Sequence, residues 1–212
     1  MGQGYRERFE SMAEELRSNR NVRVIKLALG RPAARAEIAN AERRAGGALP
    51  NGVERFYREM NGFSLEWEHT VESIRSHDSS DRGFVELLPI GRVFASWRGQ
   101  TWFADIEGGE TYRPVKPFDR FQPEACAAFY QPPGKAPEDR VYYHYFGEIL
   151  EATGYTFPEY VDRLLASRGF FYWIVTLCAG LQSTREATSF RQKIPLIFDD
   201  FEDALFHPAR PV

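Results

Sequence analysis

The chain has 212 residues, of which 43% are hydrophobic, 15% aromatic and 27% charged. These are the proportions of a globular protein with a large core, and they exclude a disordered chain. Its formal net charge of −3 lacks the basic excess of a dedicated nucleic-acid binder, so nucleic acid is not expected as a direct partner.

In chain order, residues 4–19 read as an amphipathic helix, with Tyr5, Phe9, Met12 and Leu16 on one stripe. Val22 to Leu29 alternates in part and reads as a strand or an extended connector. Pro32 suits a helix start, and Ala33 to Ala45 is rich in helix formers, with Ala34, Ile38, Ala41 and Ala45 on one face and Gly46-Gly47 as a stop. Leu49-Pro50 introduces a further helix with the stripe Val53, Phe56, Tyr57 and Met60, closed by Asn61-Gly62.

From residue 63 the period changes to two. Phe63 to Glu68 alternates cleanly and directs Phe63, Leu65 and Trp67 inward. Residues 69–83 are polar and read as a long loop with a short element near Val71 to Ile74. Strands are expected at Phe84 to Leu88, Thr101 to Ile106, Cys126 to Tyr130 and Arg140 to Phe146, with a helical turn between Pro89 and Trp97. Pro114, Pro117 and Pro123 predict an irregular stretch. Thr156 followed by Glu159 reads as a capping box for a helix that buries Tyr160, Val161, Leu164 and Leu165. Phe170 to Cys178 predicts a second, buried helix, and Phe198 to Phe206 a short acidic one. The order of elements predicts an α+β fold: N-terminal helices, a central antiparallel sheet and C-terminal helices in a single domain.

Two cysteines, Cys126 and Cys178, cannot make a disulfide framework, and two reduced, buried thiols are expected. The longest apolar stretch, Phe170 to Leu181, is far shorter than the ~20 residues that a bilayer requires. Residues 1–20 are charged throughout and carry no apolar leader core. The expectation is therefore a cytoplasmic protein without membrane contact. Residues 1–60 hold 12 Lys and Arg against 8 Asp and Glu, whereas the remainder holds 15 against 22. That later acidic excess suits a surface facing a basic partner.

Signatures of chemistry are missing. No glycine-rich phosphate loop, no Gly-x-Ser-x-Gly and no His-Glu-x-x-His is present, so no catalytic residue, metal ligand or cofactor is assigned. His69, His77, Asp78 and Asp81 share a polar loop whose spacing matches no ligand pattern and whose composition is that of a solvated segment. Tyr142 to Tyr145 has the rings for a stacking surface or for sheet packing. Trp67 and Trp173 read as core, and Trp97 and Trp102 remain open between core and contact surface. Glu66, Glu68, Asp105, Glu107 and Glu110 are the outward carboxylates on or near expected strands and a turn.

The segment Ala36 to Gly62 carries Ile38, Glu42, Gly46, Leu49, Pro50, Phe56, Tyr57, Asn61 and Gly62 in an order that resembles the SUKH superfamily. That superfamily joins a yeast regulator of cell-wall synthesis with many bacterial toxin-immunity proteins. Phe84 to Val93 and Tyr160 to Trp173 are similar to its later strand, turn and closing helix, so the resemblance spans most of residues 33–175 and leaves 1–30 and 181–212 as extensions. Leu49, Pro50, Asn61 and Gly62 are its structural motif. Leu49 would staple the following helix, Pro50 would suit its first turn, and Gly62 would take a positive φ at the handover to the strand.

The resemblance implies a non-enzymatic protein-binding domain, an immunity protein that neutralises a cognate toxin such as a nuclease. On charge complementarity with a basic toxin, the outward carboxylates Glu66, Glu68, Asp105, Glu107 and Glu110 are the expected partner-binding residues. Two alternatives stay open: a regulatory scaffold of the cell-wall-regulator type, and a small hydrolase using the loop at 69–81. The sequence leaves the oligomeric state open.

Overall fold

A computed structural model describes residues 3–72 and 82–209. The elements run α1 (Tyr5–Ser18), β1 (Val22–Leu29), α2 (Arg35–Ala45), α3 (Val53–Glu59), β2 (Phe63–His69), β3 (Arg82–Leu87), α4 (Ile90–Val93), β4 (Val115–Asp119), β5 (Ala125–Tyr130), β6 (Val141–Tyr145), β7 (Ile149–Ala152), α5 (Phe157–Ser167) and α6 (Arg185–Ile197). The seven strands form one antiparallel sheet in sequence order, β1 to β7, with helices at both ends of the chain. This is the α+β class that the element order predicts.

Amphipathic periodicity places the helices on one face of the sheet. Tyr5, Phe9, Met12 and Leu16 of α1, Phe56 and Tyr57 of α3, and Phe157, Tyr160, Val161 and Leu164 of α5 are all buried in the main core. Phe56 sits at the meeting point, with its ring 5.5 Å from Tyr5, 6.0 Å from Phe9 and 5.3 Å from Phe157, each edge-on. Buried residues of α1 and α6 belong to that same core, so both helices, which lie outside the segment of the resemblance, contribute to it. The Glu159 carboxylate accepts the Thr156 N–H at 2.8 Å, which is the expected cap of α5, and this pulls the Glu159 pKa down.

The Leu49-Pro50 and Asn61-Gly62 motif brackets α3. Pro50 lies outside the helix, because Gly52 in left-handed geometry is the residue that starts it at Val53. Leu49 packs partly buried against the core. Asn61 ties three segments together: its N–H donates to Arg31 O at 2.8 Å, its Oδ1 accepts from Ile90 N at 2.7 Å, and its Nδ2 reaches Glu37 at 3.4 Å. Gly62 takes φ +103°, and a Cβ there would press on Leu87 O at 2.9 Å. Similarly, Pro32 precedes rather than opens α2, which begins at Arg35 with Ala34 exposed as its cap, and Gly46 at φ +73° ends it.

Elsewhere the chain departs from expectation. Thr101 to Ile106 is not a strand, whereas the proline-bearing stretch contains β4, where Pro117 sits beside a register shift and so needs no ladder N–H. Phe170 to Cys178 is not an α-helix: it holds one buried turn of tighter 3₁₀ geometry, Trp173–Leu177, entered through Tyr172 at φ +53°. Phe198 to Phe206 holds only a 3₁₀ turn at Asp203–Leu205, and the C-terminal helix is α6, stripe Ala187, Phe190, Ile194 and Ile197. β7 has no counterpart in the sequence reading.

The sheet has a seam. β3 pairs with β4 only at Leu87 and Asp119. Backbone bonds from Leu88 N to Phe118 O (2.8 Å) and from Arg120 N to Glu86 O (3.0 Å) flank that pair. The Asp119 carboxylate completes it by accepting the Glu86 N–H at 3.0 Å and the Tyr160 hydroxyl at 2.8 Å. The other end of β3 bonds to the segment after α5: Phe84 N donates to Gly169 O, and Phe171 N to Arg82 O, both at 2.8 Å. There the Trp67 indole N–H donates to Arg168 O at 2.7 Å. Gly83 lies directly opposite Trp67, and a Cβ on it would overlap the indole nitrogen.

Two outcomes are expected. Gly83→Ala forces the Trp67 ring or the 168–171 segment to move and lowers unfolding stability in denaturant by about 2–3 kcal/mol. Asp119 carries a pH signature: burial pushes its carboxyl from 3.8 up to about 6, against the pull of the Glu86 N–H and the Tyr160 hydroxyl. Between those pH values the folded chain holds a proton that the unfolded chain has released, so this residue's contribution is largest below about pH 4 and falls as pH rises to about 6. Asn keeps an acceptor for Glu86 and cannot ionise. Relative to the parent protein, Asp119→Asn should therefore gain on the order of 2–3 kcal/mol between pH 4 and pH 6.5, read from urea melts across that range.

Candidate functional site

The two sheet faces differ. One carries the main core; the other is charged over β1–β3 and covered over β4–β7. On that second half Val115, Cys126 and Ala128 form a small separate cluster under Tyr112, Phe146 and Leu150. Part of its cover, Tyr112, comes from the chain between α4 and β4, and two tryptophans hold this segment down. Trp97 is 1% exposed and donates its indole N–H to Val93 O at 3.1 Å. Trp102 is 8% exposed beneath the Arg113 guanidinium, 5.7 Å from the ring centroid. Gly99 N to Trp102 O and Thr101 N to Trp97 O close the loop between them at 2.8 and 2.9 Å. Both indoles are thus anchors rather than contact surface.

Just beyond them the same loop turns apolar groups outward. Phe103 is 37% and Ile106 56% exposed, and they are two of the four large hydrophobic residues so exposed among the described residues. Asp105, Glu107 and Glu110 are exposed in the same stretch, which contains no Lys or Arg from 103 to 110. No ion pair holds any of the three among the described residues. A cavity of about 500 Å³ lies between Phe103, Ile106, Glu107, Tyr112 and the β6–β7 turn at Phe146 and Gly147. Three of the five expected carboxylates therefore share one surface with two apolar side chains.

Glu66 and Glu68 point outward as expected but lie elsewhere. β2 is four strands from β6, roughly 20 Å across the sheet. Glu66 faces Lys26 across the β1 ladder and pairs with Arg82 at 3.5 Å. Glu68 stands opposite both Arg23 and Arg82, and accepts the Arg23 Nε–H at 2.8 Å. Their charge is already balanced on the sheet.

The remaining candidates serve the fold. His69 is buried at the end of β2, where its Nδ1 accepts the Val71 N–H at 3.2 Å; His77, Asp78 and Asp81 lie outside the described residues. Tyr143 belongs to the main core, and Tyr142 donates its hydroxyl to Glu138. His144 is fully buried 4.7 Å from the Tyr112 ring, with Nδ1 2.7 Å from Ile149 O. Burial pushes its pKa down, opposed by hydrogen bonds to the Ile149 and Thr101 backbone. The ring is thus neutral at pH 7, with Nδ1 carrying the proton toward that carbonyl. Cys126 and Cys178 are buried free thiols whose pKa burial raises, so neither is poised as a nucleophile. Among the described residues no group of three or more His, Cys, Asp or Glu is placed to hold a metal, and no helix is long and apolar enough to cross a membrane.

No family model matches the sequence, and no curated protein matches it either.

The loop's division of labour has a direct test by chemical denaturation. Trp102→Ala should cost about 3–4 kcal/mol of unfolding stability. Ile106→Ser should change it by less than ~0.5 kcal/mol, and Phe103→Ser, whose ring is 37% exposed, by about 1–2 kcal/mol, well below the Trp102 loss.

Proposed function

We propose that this chain is a non-enzymatic protein-binding domain of the SUKH type, an immunity protein that neutralises a cognate toxin by direct contact. The observation that carries the reading is the loop at residues 103–110. Two apolar side chains stand exposed on it among three unpaired carboxylates, over a base that two buried tryptophans hold in place.

Such a surface suits a basic protein better than any small substrate. Phe103 and Ile106 are the apolar anchors that gain most from leaving water. Asp105, Glu107 and Glu110 form an acidic rim that speeds encounter with a positively charged cleft, the electrostatic signature of a nuclease. Anchoring by Trp97 and Trp102 lowers the ordering cost of binding. Glu66 and Glu68, balanced by arginines, contribute less. The Leu49-Pro50 and Asn61-Gly62 motif supports the family reading through its folding role, since Asn61 and Gly62 join α3, β1, β3 and α4 around one turn.

The test is co-expression with the toxic protein encoded by the adjacent gene, followed by growth assays and size-exclusion chromatography of the mixture. The parent chain should restore growth and co-elute with the toxin. Reversing charge at Asp105, Glu107 and Glu110 together should slow association at least about tenfold at low salt. Phe103→Ser with Ile106→Ser should speed dissociation about 10- to 100-fold, whereas Glu66→Gln with Glu68→Gln should leave neutralisation intact. Full neutralisation by the loop variants would overturn this assignment.

A further inference from the structure

A second cavity, of about 430 Å³, opens beside the seam between the outer face of β3, α4 and the β4–β5 turn. Its walls carry Arg82, Arg92, Arg120 and Gln122 beside Phe84 and Phe121. Three guanidiniums around one small cavity are unexpected in a chain of net charge −3. Like charges repel, so such a cluster needs support.

Here that support is Trp97. The Arg92 and Arg120 guanidiniums both lie over its ring, 5.4 and 5.6 Å from the centroid. A guanidinium supported by an aromatic ring does not need a carboxylate partner to hold it. Neither Arg92 nor Arg120 forms an ion pair with a carboxylate among the described residues. Arg82 adds a third group: one terminal nitrogen lies 3.5 Å from Glu66, and its buried Nε has no hydrogen-bond partner. The one acid on the wall, Glu86, makes no ion pair among the described residues either. Phe84 is half-buried and Phe121 is 5% exposed, so the cationic edges adjoin aromatic surface. The volume lies within the range of small-molecule sites, roughly 300–1,000 Å³.

We propose that this cavity binds a small organic anion, an aromatic body bearing a phosphate or carboxylate group. The anionic group is held by the edges of Arg92 and Arg120 with help from Arg82 and Gln122, and the body lies against Phe84 and Phe121. Planar forked donors suit both kinds of oxyanion. Glu86 weakens the site by repulsion and so limits how strongly it is charged. The site is separate from loop 103–110 and does not rest on the toxin-binding reading.

The experiment is isothermal titration calorimetry of the purified chain at low ionic strength with phenyl phosphate, phenylacetate and inorganic phosphate. Saturable 1:1 binding is expected for at least one aromatic probe, tighter than for inorganic phosphate, and the stronger of the two identifies the preferred oxyanion. Arg92→Gln and Arg120→Gln should each weaken it at least about tenfold, the loss expected for a charge-assisted hydrogen bond. Arg92 is exposed and Arg120 half-buried, and circular dichroism melts should show these variants folded. Glu86→Gln should tighten binding severalfold, a gain that a misfolded variant does not give. The proposal is overturned by no saturable binding of either aromatic probe up to about 10 mM. It is equally overturned by binding that the two arginine variants leave unchanged, or by inorganic phosphate binding as tightly as the aromatic probes.

Discussion

After β3 pairs with β2, its one remaining edge is divided between two segments far apart in the chain. At one end β4 takes a single ladder pair; at the other, residues 169–171 hydrogen-bond where a longer β4 would have lain. The division follows from Trp67. A buried indole needs an acceptor for its N–H, and the acceptor is the Arg168 carbonyl, presented by a left-handed residue at the end of α5. To bring that carbonyl over β2, the chain must pass along β3, and Gly83 clears the space beneath it. The Arg168 side chain then bonds to Asp200 at 2.5 Å and Glu15 at 3.3 Å and stacks on Phe198. α1, the sheet and the C-terminal segment thus converge on one residue.

The seam also sets what each half of the outer sheet face can do. Across β1–β3 the face is a lattice of alternating charges, Arg23, Lys26, Glu66, Glu68 and Arg82, which balance one another. Across β4–β7 it is apolar and small-residued, so it needs a cover, and part of that cover is the loop pinned by Trp97 and Trp102. Trp97 serves both surfaces. Its burial anchors the acidic loop on one side, and its ring carries two arginines on the other. Opposite charges are thereby kept on separate surfaces of the same short segment.

How legible this was in the sequence depends on the range of the interactions that decide each element. α1, α3, β2 and α5 are decided by local periodicity and caps, and Tyr5 to Leu16, Phe63 to Trp67 and Thr156 to Glu159 state them plainly. β4 is decided by its neighbour β5, and Pro117 conceals it because a proline is tolerated only where the ladder shifts. α6 has a clear stripe, but Pro195 in its last turn reads as a breaker. Phe170 to Cys178 is apolar on all sides, and periodicity cannot tell a buried helix from buried turns. At the candidate site the acids at 105, 107 and 110 were visible as exposed carboxylates. Their company with Phe103 and Ile106 was not, because a strand is expected at Thr101 to Ile106, whereas the segment is a loop anchored by the burial of Trp102. Arg82, Arg92 and Arg120 come together from three elements with no spacing to announce them.

The contact between Trp67 and Arg168 joins positions 101 residues apart. During synthesis at ~5–20 residues per second, β2 waits roughly 5–20 seconds after its own appearance before the carbonyl that satisfies its indole exists. Through that interval the first three helices and β1–β3 have no lid, and their largest ring has no partner. The N-terminal half thus waits for the last third of the chain before that hydrogen bond can form.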